Sequence, residues 1–131
     1  LLNEIKKVSS KSDCIVTYEG CLSGEDYLQF LQSCDIGLCP QDPEAAFNGT
    51  SFPSKILSYM SNRLRVVSIR IPAIENSLIG NYINYYDEQK PEKIAKAIMS
   101  VDINDNYNSR DIIEKLDNDF KIQIKKLLAK H

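Results

Sequence analysis

Histidine is all but missing from this chain. Its single copy is His131, the last of 131 residues. No interior imidazole is present to act as the base of a nucleophilic triad. Zinc spacing is missing as well, because none of the four cysteines (Cys14, Cys21, Cys34, Cys39) forms a C-x-x-C pair. No G-x-G-x-x-G or Walker sequence supplies a phosphate loop. No apolar run approaches the roughly 18 residues that mark a membrane-spanning helix. Positive charge is not in excess: 16 basic against 18 acidic residues leave a net charge of −2. The lysines that gather near the end, Lys115, Lys121, Lys125, Lys126 and Lys130, alternate with apolar residues. They read as a solvated helix face, not as a nucleic-acid surface. The carboxylates Glu19, Glu25, Asp42, Glu44 and Glu75 show no spacing that demands a glycosidase-like pair. The residues thus point to the binding half of a site, with no metal and no cofactor expected.

What is present suits one α/β domain spanning 1–131, ending in a helix over about 109–130. The chain opens on Leu1 and is expected to be a piece of a longer protein. Cys14 and Cys39 fall inside apolar, strand-like runs, where a thiol packs as a small hydrophobe. Reduced, mostly buried thiols in a cytoplasmic protein are the expectation.

Strand and helix patterns alternate along the chain. "LLNEIKKVSS" reads as the tail of a helix, and "DCIVTYEG" (13–20) as a buried, β-branched strand ending on glycine. A helix follows, with Ser23 and Asp26 as a capping box and Tyr27, Phe30, Leu31 and Cys34 on one stripe. "DIGLCP" (35–40) is a second strand stopped by proline, and 41–51 is a long polar loop. "FPSKILSYM" opens a helix that turns Ile56, Leu57 and Met60 inward. "LRVVSI" (64–69) is the third strand, a short helix runs from Pro72 to Gly80, and "NYINYY" (81–86) is the fourth strand. Two helices close the chain. Ile94, Ala97, Ile98 and Val101 share a face of the first; Ile112, Leu116, Phe120, Ile124 and Leu127 share one of the second, with Asn118 as its point of interruption. Repeated βα units predict a mostly parallel, Rossmann-like sheet of about four strands, with ligands beyond the carboxyl ends of the strands.

The helix entrance at Pro53-Ser54-Lys55 is the main candidate site. With Pro53 as first helical residue, the Ser54 and Lys55 N–H groups face out of the helix start without intrahelical acceptors. The macrodipole and the Lys55 ammonium favour an anion there, and hydroxyls at Thr50, Ser51 and Ser54 add donors. The bland alternative is a capped helix bearing a surface lysine. Of Arg63, Arg65 and Arg70, only Arg70 falls at the predicted ligand end of its strand. Tyr82, Tyr85 and Tyr86 read as packing residues rather than a sugar-stacking platform.

Taken in order, "IVTYEGCLSGEDYLQFLQSCDIGLCP", the loop with Asn48, "FPSKILSYMSNRLRVVSIRIPAIENSLIG" and "YYDEQKPEKIAKAI" resemble the C-terminal half of GT-B glycosyltransferases, nearest to group 1 (glycosyltransferase family 4). The resemblance covers residues from about 13 to 98 and implies a domain that binds a nucleotide-sugar donor. A separate N-terminal domain would take the acceptor, a glycan or lipid-linked sugar, in bacterial capsule or lipopolysaccharide synthesis. It places Ser54 and Lys55 beside the diphosphate, and Gly20 to Leu22 with Leu38 to Pro40 around the base and ribose. Asn48, Gly49 and Thr50 would approach the sugar or phosphates, and Ser58 the ribose. It implies no metal, a cytoplasmic location at the inner face of the plasma membrane, and peripheral membrane association of the full-length protein. It also implies two further strands before Leu1, lying in mid-sheet between the strands at Ile15 and Ile36. Without them the sheet must leave an exposed pairing edge, reorder or borrow a strand, and this piece alone should not turn over substrate.

Three positions depart from the family pattern. Ser58 stands where "K-x-x-E-Y" has a ribose-binding glutamate, Thr50 at an earlier acidic position, and "SNRLRVV" where a small residue, Gly and Pro precede the strand. A neutral serine binds a ribose more weakly than a carboxylate does. These departures motivate an alternative, a non-catalytic interaction module whose terminal helix docks on a partner. A nucleotide-sugar epimerase of related fold is the third reading.

Overall fold

The computed structural model describes residues 2–11, 13–42, 44 and 53–130. Their helices and strands are α1 (Leu2–Lys11), α2 (Gly24–Gln32), β1 (Ile36–Cys39), α3 (Ser54–Ser61), β2 (Arg65–Ile69) and α4 (Pro72–Glu75), followed by β3 (Asn84–Tyr86), α5 (Pro91–Met99) and α6 (Ser109–Ala129). A 3-10 turn at Gly80–Tyr82 leads into β3.

The three strands form one parallel sheet in the order β1-β2-β3. Cys39 pairs with Ser68, and Ile69 with Tyr86, so all three chains leave the sheet along one rim. Central β2 is buried from Val66 to Ile69 without alternation. A parallel strand covered on both faces needs such a run, and "RVVSI" supplies it. Helix α3 covers β1 and β2, while α5 covers β3 and β2. Ile56 and Met60, four positions apart on α3, meet Val66, Val67, Ile69, Ile71 and Ile74 in the core. Each such side chain contributes about 1.5–3 kcal/mol by leaving water. Leu57, expected to face inward, is 41% exposed. The inward face of α3 is instead made by Ile56 and Met60, with half-buried Tyr59 packed beside them against the core.

The strand expected at 13–20 does not form. That stretch forms a bend and irregular chain without a ladder, and Ile15 is 92% exposed. β-branched composition makes a strand only where a neighbouring edge accepts it, and no described strand pairs with this one. The outer side of β1 has no strand partner among the described residues. With the strand gone, Cys14 is exposed as well, against expectation. Cys21 is also exposed, Cys34 is half-buried and only Cys39 is buried.

Smaller differences follow from local chemistry. Ser23 does cap α2, but its side chain accepts no capping bond, and only Leu31 of the expected stripe is buried. The helix from Pro72 stops at Glu75, well before Gly80. Asn118 does not interrupt α6. Helix α3 ends in a Schellman motif: Leu64 N–H donates to Tyr59 O (3.0 Å) and Arg63 N–H to Met60 O (3.1 Å). The motif requires a left-handed residue, and Arg63 takes it at φ 69°, a conformation costing about 1–2 kcal/mol for a residue with a Cβ.

Helix α6 is anchored by Ser109. Its hydroxyl, fully buried, donates to Met60 O at 2.8 Å and approaches Leu64 O at 3.3 Å. Ser109→Ala leaves the Met60 carbonyl buried without this donor and is expected to lower stability by about 1–2 kcal/mol. A urea melt reads this as a lower midpoint at unchanged slope; an unchanged midpoint would show that the bond anchors nothing.

Candidate functional site

The candidate site is built where β1 hands over to α3. Of the segment between them only 40–42, 44 and 53 are described, so Asn48, Gly49, Thr50 and Ser51 lie outside the described residues. Helix α3 starts one residue later than expected: Pro53 is its N-cap, with φ −68° and ψ 104°, and Ser54 is the first helical residue. The fixed φ of proline suits either position, and the extended ψ decides for the cap. Pro53 itself supplies no side-chain cap. The Ile56 N–H closes back on Pro53 O at 3.1 Å. Ser54 and Lys55 are left as first and second helical residues, whose N–H groups have no intrahelical acceptor. Both residues are exposed.

Lys55 sits on the rim where the strands end. Its charge acts on the Cys39 thiol at the end of β1. Burial pushes that thiol up from its ordinary value, against the pull of a Ser68 hydrogen bond, Lys55 and the Gln41 backbone. Cys39 is therefore a packed thiol whose surroundings disfavour the thiolate. Ser68, fully buried beside it, donates to Ile69 O at 2.9 Å. Tyr86, 3% exposed, ends β3 on the same rim, and its buried hydroxyl has no partner among the described residues. Burial raises its pKa, and Cys39 raises it further.

Two rim contacts escaped the sequence reading. Gln89 donates from Nε2 to both Pro40 O and Gln41 O, each at 3.1 Å, tying the end of β1 to the β3–α5 loop. The available signal was its place after the last strand, on the ligand side of the sheet. Arg70, by contrast, was read as an anion-binding candidate and is occupied. Its Nε lies 2.7 Å from Asp87 Oδ1 and its Nη1 2.8 Å from Glu75 Oε1, and its guanidinium stacks on Tyr85 at 4.5 Å. The Asp87 bond foremost, then Glu75, raises its pKa against burial. With two carboxylates around one guanidinium, that cluster carries a net negative charge and offers no free cation.

Of the sequence-selected residues, α3 brings together Ser54, Lys55 and Ser58. Ser58, one turn beyond Ser54 on the same face, is exposed, and its carbonyl accepts from Asn62 Nδ2 at 2.8 Å. Pro40 lies on the same rim. Gly20, with φ 72°, and half-buried Leu22 belong to the irregular stretch before α2. No hydrogen bond among the described residues joins them to α3. No group of three His, Cys, Asp or Glu side chains that could hold a metal ion occurs among the described residues.

Three clefts lie apart from the α3 entrance. One of about 370 Å³ runs between β3 and α5, lined by Asp87, Glu88, Lys93 and Lys96. One of about 460 Å³ faces the opposite end of the sheet, near Asp35 and Arg63. The third, of about 200 Å³, lies beside Arg65 and Tyr107. There Arg65 pairs with Asp105 and stacks on Tyr107 at 5.4 Å.

No protein-family model, curated protein or solved structure matches this chain. What the fold defines is an α/β chain with a parallel three-stranded sheet flanked by helices, compatible with a Rossmann-like arrangement.

Proposed function

We propose that this chain is the donor-binding part of a glycosyltransferase, moving a sugar from a nucleotide-sugar to a glycan or lipid-linked acceptor. Bacterial cell-surface polysaccharide synthesis is the setting that its resemblance to GT-B enzymes implies. The observation that carries the reading is the α3 entrance: two N–H groups without intrahelical acceptors and the Lys55 ammonium, exposed on the rim where β1, β2 and β3 end. A pyrophosphate there accepts hydrogen bonds from the Ser54 and Lys55 amides and gains the Lys55 charge. Stabilising the departing nucleoside diphosphate is an electrostatic task, and it needs no nucleophile from this chain.

The buried Tyr86 hydroxyl, without a partner among the described residues, adds a polar group to the same rim. Ser58 can reach a ribose as a neutral donor. Calorimetric titration of the protein with uridine, guanosine and adenosine diphosphates tests the reading: saturable binding of one of them is expected, and no binding by any would end it.

A second reading has its own support. Arg70 is consumed by Asp87 and Glu75, and Ser58 replaces the acidic residue of the family pattern. Both features fit a glycosyltransferase-like interaction module without activity. Sugar transfer by the full-length protein would exclude it.

A further inference from the structure

Helix α6 is two helices in one as far as its surroundings go. Ile112, Ile113 and Leu116 pack against the core, and this part of the helix lies along α3. From Asp117 to Lys130 every residue is exposed. At 1.5 Å per residue, these positions carry the helix about 20 Å beyond its packed part.

The apolar face does not stop where the packing stops. Phe120, Ile124 and Leu127 continue the spacing of Ile113 and Leu116, with Leu128 beside them. Phe120 is 61% exposed, Leu127 57% and Leu128 70%. Leaving several large apolar side chains in water along one stripe marks an interaction surface rather than scattered exposure.

Charge decides what the surface fits. Residues 120–130, "FKIQIKKLLAK", hold four lysines and no acidic residue. Removing those four from 16 basic and 18 acidic residues leaves 12 against 18, a balance of −6 for everything else. At about 100° per residue, Lys121 and Lys125 flank one side of the apolar stripe and Lys126 and Lys130 the other. Lys121 reaches back to Asp117 at 2.7 Å, but Lys125, Lys126 and Lys130 make no ion pair among the described residues. The helix dipole accounts for lysines in the last turn. It does not account for the bare Phe120, Leu127 and Leu128.

We propose that residues 120–130 of α6 lie on an anionic lipid surface, with Phe120, Ile124, Leu127 and Leu128 in the headgroup–acyl boundary. The lysines would run their aliphatic stems along that boundary and hold their ammonium groups at the lipid phosphates. No helix of the described residues is long and apolar enough to cross a membrane, so α6 would lie in the plane of the surface. The acidic remainder of the chain is repelled by the same lipids, which orients contact through the projecting end. This inference stands on α6 alone and does not depend on sugar transfer.

Flotation of the full chain with phosphatidylcholine vesicles, with and without phosphatidylglycerol, tests it. Binding is expected to require phosphatidylglycerol and to weaken as salt is raised. Each Lys→Gln change among Lys121, Lys125, Lys126 and Lys130 should weaken partitioning about fivefold, and all four together a hundredfold or more. Phe120→Ser with Leu127→Ser and Leu128→Ser should abolish binding with every charge retained. The salt series on the unaltered chain keeps the test decisive should a variant fail to fold. Equal binding to neutral vesicles, or none to either kind, overturns the proposal. So does a dimer in size-exclusion chromatography that the Phe120→Ser, Leu127→Ser and Leu128→Ser variant dissolves, since a second copy would then be covering the stripe.

Discussion

Lys55→Ala is expected to weaken nucleoside diphosphate binding by about tenfold to a hundredfold, the loss of one charge-assisted contact to a phosphate. Lys55 is exposed at the start of α3, so its removal disturbs no packing and the melting temperature should stay where it was. The two amide donors remain in the variant, which is why residual binding is expected rather than none. The unaltered protein should lose affinity with salt more steeply than the variant, since one fewer charge is then screened. Lys96→Ala is the matched control. Lys96 lines the cleft between β3 and α5 and is also an exposed lysine on a helix. If the nucleotide binds and Lys55→Ala leaves the affinity unchanged while Lys96→Ala lowers it, the α3 assignment fails and the β3–α5 cleft takes its place.

Gly80→Ala is expected to be strongly destabilising, although it adds a single methyl group. A Cβ at position 80 would stand 2.8 Å from the Ile74 carbonyl oxygen and closer still to that of Glu75. Both are backbone atoms at the end of α4, so no flexible side chain can yield. Helix α4 would have to move, and with it Ile74, fully buried in the core, and Glu75, which holds Arg70. The Gly80 carbonyl also accepts from the Tyr85 hydroxyl at 2.8 Å. Overpacking of this kind costs about 3 kcal/mol or more, the upper end for a core. Urea unfolding should show it as a large drop in midpoint, and a change below about 0.5 kcal/mol, the scale of an ordinary surface substitution, would refute the contact. The reason for this glycine is close approach of two backbones, not a left-handed turn.

How much of this was legible beforehand varies by element. "DIGLCP" and "LRVVSI" became β1 and β2 within a residue or so at each end, because a buried parallel strand writes itself as a continuous apolar run bounded by stops. "PEKIAKAIM" became α5 with Ala97 buried and Ile94 and Ile98 against the core. The Ser54–Lys55 entrance was legible for a local reason: proline, then small and charged residues, then helical spacing. Its neighbours on the rim were not. Nothing in the spacing of Gln89, Pro40 and Gln41 announces their hydrogen bonds, since those residues lie 48 and 49 positions apart. Arg70 looked available because its carboxylate partners approach only once β3 and α4 are in place. Arg63 gave no sign of its left-handed backbone, as most such positions are marked by glycine.

By itself the sequence determined β1, β2 and the apolar face of α5, the inward turn of Ile56 and Met60, and the presence of a cationic, donor-rich start to α3. These depend on residues within a few positions of one another, and local periodicity records them. Only the tertiary structure decided that residues 13–20 find no strand to pair with, that Arg70 is neutralised, and that the apolar stripe of α6 runs on past its support. Each of those is a question of which distant surface is near, and a side chain carries no mark of the neighbour it lacks.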